Sequence, residues 1–172
     1  MMTEGAKCEF GRKLSELTRP VNGQYPRPWM TRSTKPEDCR VFVVGKNQRN
    51  GYPCEMLSHE RHLDGLFNRD GLSCRKIYDE MTAGRPSPTR QNTDRLVDML
   101  AAEGIQDVLE TNVVCYSSPM SADLRLNEHA GGATQGRELF RFLLESISPN
   151  VVIVHGAGAR RELERVLRCK LV

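Results

Sequence analysis

Three short apolar runs, each closed by small or polar residues, set the rhythm of the chain. Val41-Phe42-Val43-Val44 is entered from a charged stretch and left through Gly45. Four consecutive apolar residues, three of them β-branched, have the length and composition of a buried parallel strand. A second run, Val108 to Val114, carries Glu110, Thr111 and Asn112 among its apolar residues, and a third, Val151–Val154, follows Pro149-Asn150. Between the runs the apolar spacing becomes helical. Ser73 to Met81 and Thr93 to Glu103 read as helices, the second with a capping threonine or asparagine at its start and Gly104 to supply a left-handed stop. Gln135 to Ile147 reads as an amphipathic helix and Arg160 to Leu167 as the last one. Strands alternating with helices predict an α/β domain, a three-layer αβα arrangement whose central sheet is mainly parallel with right-handed crossovers.

The segments outside this rhythm are polar. Residues 1–40 hold Pro20, Pro26, Pro28 and Pro36, so a helix is expected only near Lys7 to Leu17 and the remainder as a basic, Pro-rich arm lying on a domain of residues 41–172. Trp29 either anchors that arm to the core or stacks on a base. Loops are expected at 50–72, at the Gly/Pro/Ser-rich stretch Ala83 to Arg90, and at 116–133, ending in His129-Ala130-Gly131-Gly132.

Composition narrows the class. The chain of 172 residues is long enough for a single core, although 38% apolar residues make it a polar one. The net charge is only +3, but eight basic residues face five acids within the first forty, which suits either a solvated surface or a polyanionic partner. The six cysteines form no C-x-x-C pair, so their spacing gives little support to zinc or an iron–sulfur cluster, and they read as reduced intracellular thiols. The sequence has neither an apolar leader nor a run approaching eighteen apolar residues, and the expected location is the cytoplasm, nucleoid or nucleus.

Candidate chemistry follows from the strand ends. In open α/β sheets ligands bind in loops at the carboxyl ends of strands, which draws attention to Gly45, Lys46, Asn47 and on to Tyr52. The segment beyond holds His59, His62 and Phe67; the two histidines stand three apart, but no third ligand at convincing spacing follows, and enclosure of a planar ligand suits the stretch better. Asn112 near a strand end is costly to bury unless its amide is satisfied, so it either bonds a neighbouring loop or meets a ligand. An amide offers a donor and an acceptor side by side, as the edge of a pyrimidine requires. His155-Gly156-Ala157-Gly158-Ala159 is too short for a dinucleotide fingerprint and reads as a strand-to-helix turn.

Taken in order, Val43-Val44-Gly45-Lys46-Asn47, Glu110-Thr111-Asn112-Val113-Val114 and Ser148-Pro149-Asn150-Val151-Val152-Ile153-Val154-His155-Gly156 resemble the succession of core strands in the uracil-DNA glycosylase superfamily, over roughly residues 40–168. Asn47 matches the third residue of that superfamily's Gly-x-Asp or Gly-x-Asn loop, and the asparagine is similar to that of the mismatch-specific uracil and thymine glycosylases. Two departures stand out. Gln48-Arg49 replaces the Pro-Gly that continues the loop in that branch, and the second signature, a His-Pro-Ser or Asn-Pro-Ser loop after one more strand, has no counterpart. The resemblance therefore implies a fragment or early-terminated protein, or a member that has abandoned catalysis.

What it implies chemically is a DNA glycosylase excising uracil or a related deaminated or mismatched base, without metal or other cofactor. The base would be extruded into the pocket at a cost of a few kcal/mol. Tyr52, His59 or Phe67 would stack on it, Asn112 would read its imide edge, and Asn47 would hold the attacking water, with Gly45 and Lys46 beside it. The partner would be single-stranded or mismatched DNA and the protein a monomer. Two other readings remain open: a non-catalytic glycosylase-fold protein binding nucleic acid or a protein, and an unrelated α/β enzyme handling a nucleotide or phosphorylated metabolite at the same strand ends.

Overall fold

The computed structural model describes residues 3–171, and they form an α/β fold with one open, mixed, four-stranded sheet and six helices. The strands are β1 (Met30–Thr31), β2 (Val41–Gln48), β3 (Val108–Ser117) and β4 (Val151–Val154), in the order β1-β3-β2-β4. β2 runs parallel to both neighbours, with Val43 opposite Glu110, Gly45 opposite Asn112 and Val44 opposite Val154. The short β1 pairs antiparallel to β3. All three apolar runs thus share one sheet, as their composition predicts.

Side-chain alternation divides the core. Val41, Val43 and Val108 gather with Val97 of α4 (Pro88–Ala102), while Phe42, Val44, Leu109 and Val113 gather with Leu139, Phe140 and Leu143 of α5 (Asn127–Ile147). The latter cluster also takes in Phe10, Leu14 and Leu17 of α1 (Glu4–Leu17) and Leu163 of α6 (Ala157–Leu167). The chain leaves β2 through α2 (His59–Leu66), α3 (Cys74–Met81) and α4 to reach β3 on one side. It then crosses by α5 to β4 on the other. The direction of winding therefore reverses at β2, and crevices form where it reverses.

Several boundaries differ from expectation, each for a physical reason. The segment ahead of β2 is more than an arm: α1 and β1 bring Phe10, Leu14, Tyr25, Trp29 and Met30 into the core, and the Trp29 indole donates to the Leu66 carbonyl at 2.8 Å. α4 begins at Pro88 rather than near Thr93, because Ser87 caps it, accepting from the Arg90 amide at 3.1 Å, and proline is preorganised for the first helical position. α5 begins at Asn127 and absorbs His129, Gly131 and Gly132, which the sequence suggests as loop. Its glycines serve close approach. A Cβ on Gly132 would lie 2.1 Å from Cε2 of the fully buried Tyr116. Alanine there gains about 1 kcal/mol of helix propensity, but overpacking costs roughly 1–3 kcal/mol and this contact leaves no room to yield. Gly132→Ala is accordingly expected to lower the urea midpoint of unfolding, and an unchanged or higher midpoint would refute the close approach. Among the described residues no helix is long and apolar enough to cross a membrane.

Candidate functional site

At the carboxyl ends of the parallel strands lies a cavity of about 270 Å³. Asn47 and Gln48 of β2, Glu110 and Asn112 of β3, His155 just past β4 and Arg90 in the first turn of α4 all line it. Gly45 explains how the far wall is made. It sits inside β2 rather than ending it, and the point its Cβ would occupy is 2.6 Å from Asn112 Oδ1 and 3.0 Å from His155 Cε1 and Nε2. Any side chain at 45 would displace both groups, so the glycine creates the space in which an amide and an imidazole meet. His155 is held there by its backbone amide, which donates to the Val44 carbonyl at 3.0 Å.

The two asparagines differ in how their amides are used. Asn47 donates from Nδ2 to the Gln48 carbonyl at 3.1 Å and to Ser118 Oγ at 3.0 Å, and its Oδ1 accepts from Ser121 Oγ at 2.7 Å. It clamps the turn after β3 onto the end of β2. Asn112 is half-buried, its backbone carbonyl accepts from the Cys115 thiol, and its side-chain amide has no protein partner among the described residues.

Charge is concentrated on the α4 side. Arg90 pairs with Glu110 and also donates from Nε to Asp94 Oδ1 at 2.9 Å, while Arg75 donates to Asp94 Oδ2 at 2.6 Å. Burial raises the Glu110 carboxyl above the usual glutamate range even though the Arg90 guanidinium pulls it down. Burial, assisted by Arg90, lowers the His155 imidazole, so it is neutral at pH 7. Arg27 and Arg49 add positive charge to the lining. The Arg27 guanidinium stands 5.0 Å from the Tyr52 ring centre and 5.3 Å from that of Tyr78, a planar cation braced by two aromatic rings.

No family model, curated protein or solved structure matches this chain.

Of the residues singled out in the sequence, the fold brings Asn47 and Asn112 to one cavity, with Gly45 behind it. The others lie elsewhere. Lys46 alternates to the opposite side of β2, its Cδ 3.0 Å from where a Cβ on Gly158 of α6 would sit. Tyr52 is buried, with its hydroxyl accepting from Arg27 at 3.2 Å, and it braces that arginine rather than facing the cavity. His59 stacks on Tyr25 with centroids 5.6 Å apart and meets Thr18 Oγ1 at 3.3 Å. Phe67 packs edge-on against Trp29 at 5.7 Å beneath the Arg69 guanidinium. These three groups pack against residues preceding β2, and none of them lines the cavity. The residues that sequence reasoning passed over are Glu110, Arg90 and His155. Glu110 stands two positions from Asn112, on the same face of a strand, and that spacing is the signal that marks it.

Among the described residues His62 belongs to no cluster of metal-ligating side chains; it is buried, its Nε2 lies 3.0 Å from the Pro26 carbonyl, and burial lowers it to about 4. The unfolded chain, with a histidine near 6.5, takes up a proton first on acidification, so stability is full above that value and falls as pH drops towards 4. The expected loss between pH 6.5 and pH 4 is about 3 kcal/mol, and His62→Gln should flatten that part of a urea-denaturation pH profile. An identical slope in the variant would contradict the assignment.

Proposed function

We propose that this chain is a three-layer αβα protein of the uracil-DNA glycosylase kind that excises uracil or a related deaminated or mismatched base by hydrolysing its N-glycosidic bond. The observation that carries the reading is the unbonded Asn112 amide, held beside Gly45 and neutral His155 in a cavity where the sheet changes its direction of winding. A volume of about 270 Å³ is at the low end of ligand sites, which suits one flat ring better than a dinucleotide. Arg27 and Arg49 would draw in a polyanion. With a base extruded into the cavity, Asn112 donates to one carbonyl of the imide edge and accepts its N–H. The braced Arg27 guanidinium takes the stacking role first assigned to Tyr52, His59 or Phe67, since guanidinium planes also stack on bases. Release of free uracil from a labelled single-stranded or mismatched oligonucleotide tests the proposal.

A second reading, a non-catalytic nucleic-acid binder on the same fold, is favoured by Asn47. Its amide is committed to the turn at Ser118 and Ser121, which leaves it poorly placed to hold a water. Binding that weakens with salt and is accompanied by no base release would select this alternative.

A further inference from the structure

We propose that Glu110 is the general base of the hydrolysis, taking the water-activating role that Asn47 fills by family resemblance. The inference rests on the glycosylase reading. Glu110 is the one carboxylate among the described residues lining the cavity; Asn47, Gln48, Asn50, Asn112 and the hydroxyl groups around it cannot accept a proton from water at neutral pH, and the other lining group that can, the His155 imidazole, stands against Gly45 and the Asn112 amide. It projects from the same face of β3 as Asn112, about 6.5 Å further from the strand end at the usual rise per residue. Glu110 and Asn112 therefore both face the one cavity.

The carboxylate is also oriented. One of its oxygens pairs with Arg90, which Asp94 fixes from the next turn of α4. The second oxygen has no protein donor among the described residues and is the one free to take a proton. Arg90 and Asp94 from α4, Arg27 from the segment before β1 and His155 after β4 are the charged or titratable groups around it, with Arg75 of α3 reaching Asp94. Burial holds the carboxyl above the usual glutamate range, which strengthens it as a base, and the Arg90 guanidinium opposes that rise by favouring the charged form.

The step balances simply. The bond between the anomeric carbon and the base nitrogen breaks, and its electron pair leaves with the base. The base anion is stabilised by the Asn112 N–H and then protonated from solvent. Water oxygen bonds to the anomeric carbon while Glu110 takes a water proton and later releases it to solvent.

The test is single-turnover release of uracil from a labelled oligonucleotide between pH 4.5 and 8, by the wild-type chain, Glu110→Gln and Glu110→Asp, with binding measured in parallel. The wild-type rate should rise with pH through one inflection above the ordinary glutamate value and then level off. Glu110→Gln should lose roughly 10²- to 10⁴-fold in rate along with the inflection, while affinity for the oligonucleotide changes less than about threefold. Glu110→Asp should recover part of the rate and restore the inflection, which a purely structural role would not do. A Glu110→Gln rate within a few-fold of wild type, an unchanged inflection, or a loss confined to affinity overturns the assignment and leaves the glycosylase reading intact. A wild-type chain that releases no base overturns both.

Discussion

Replacing Asn112 by alanine is expected to slow base release by roughly 30-fold to 10⁴-fold while leaving the folded protein nearly as stable as before. The amide has no protein partner, so its removal breaks nothing within the fold. In the complex it leaves two polar groups of the base unpaired in a confined cavity, at about 1–3 kcal/mol each, or about 2–6 kcal/mol together. Asn47→Ala should show the reverse balance. It loses three hydrogen bonds, two of which fasten the turn after β3, so thermal stability falls by an amount of order 1–3 kcal/mol, and the rate falls less than in Asn112→Ala. Paired measurements of rate and melting temperature on the two variants separate a ligand-reading amide from a structural one. A larger rate loss in Asn47→Ala than in Asn112→Ala would exchange the two roles.

The other large effect is expected at Arg90. Arg90→Met keeps most of the apolar stem of the side chain but strands Glu110, whose side chain is 12% exposed, without its counter-charge. Breaking a buried pair by removing one partner costs about 3–5 kcal/mol, because the remaining charge must be neutralised or left unpaired. Asp94 is less affected, since Arg75 still holds it. The pH dependence carries a defined sign. Burial already raises the Glu110 carboxyl, and losing Arg90 removes the main influence opposing that rise. A group whose folded value lies above its unfolded one stabilises most at low pH and loses that contribution as pH rises through the folded value. The deficit of Arg90→Met should therefore be largest near pH 7 and shrink towards pH 4. Adding Glu110→Gln to Arg90→Met should restore much of the stability at neutral pH. A double variant as unstable as the single one would show that Arg90 stabilises through packing on Met30 and α4, not through Glu110.

The contrast between these sites indicates what the sequence makes legible. The three strands were readable because Val41–Val44, Val108–Val114 and Val151–Val154 are apolar runs with no competing helical period, and the fold pairs them side by side. α4 and α5 were found but begin earlier than their apolar spacing suggests, since Ser87-Pro88 and the glycines at 131 and 132 act through capping and close packing, which periodicity does not register. Asn112 could be picked out because a polar amide in an apolar strand needs an explanation. Glu110 in the same strand needed one too, but its meaning depends on Arg90, twenty positions earlier and brought alongside only by the β2–α4–β3 crossover. Tyr52, His59 and Phe67 misled for a related reason: aromatic and imidazole groups after a strand end look the same in sequence whether they face a ligand or brace a neighbouring segment.

The central claim is that the cavity at the ends of β2, β3 and β4 holds an extruded base for hydrolysis. It is tested most directly by incubating the 172-residue chain with a labelled oligonucleotide carrying uracil, in single-stranded and mismatched form, and assaying free uracil together with the abasic strand. The account predicts release of uracil in equal amounts to abasic sites, without added metal, and its loss in Asn112→Ala. Retention of all label in the strand by wild-type protein that binds the same oligonucleotide would contradict it.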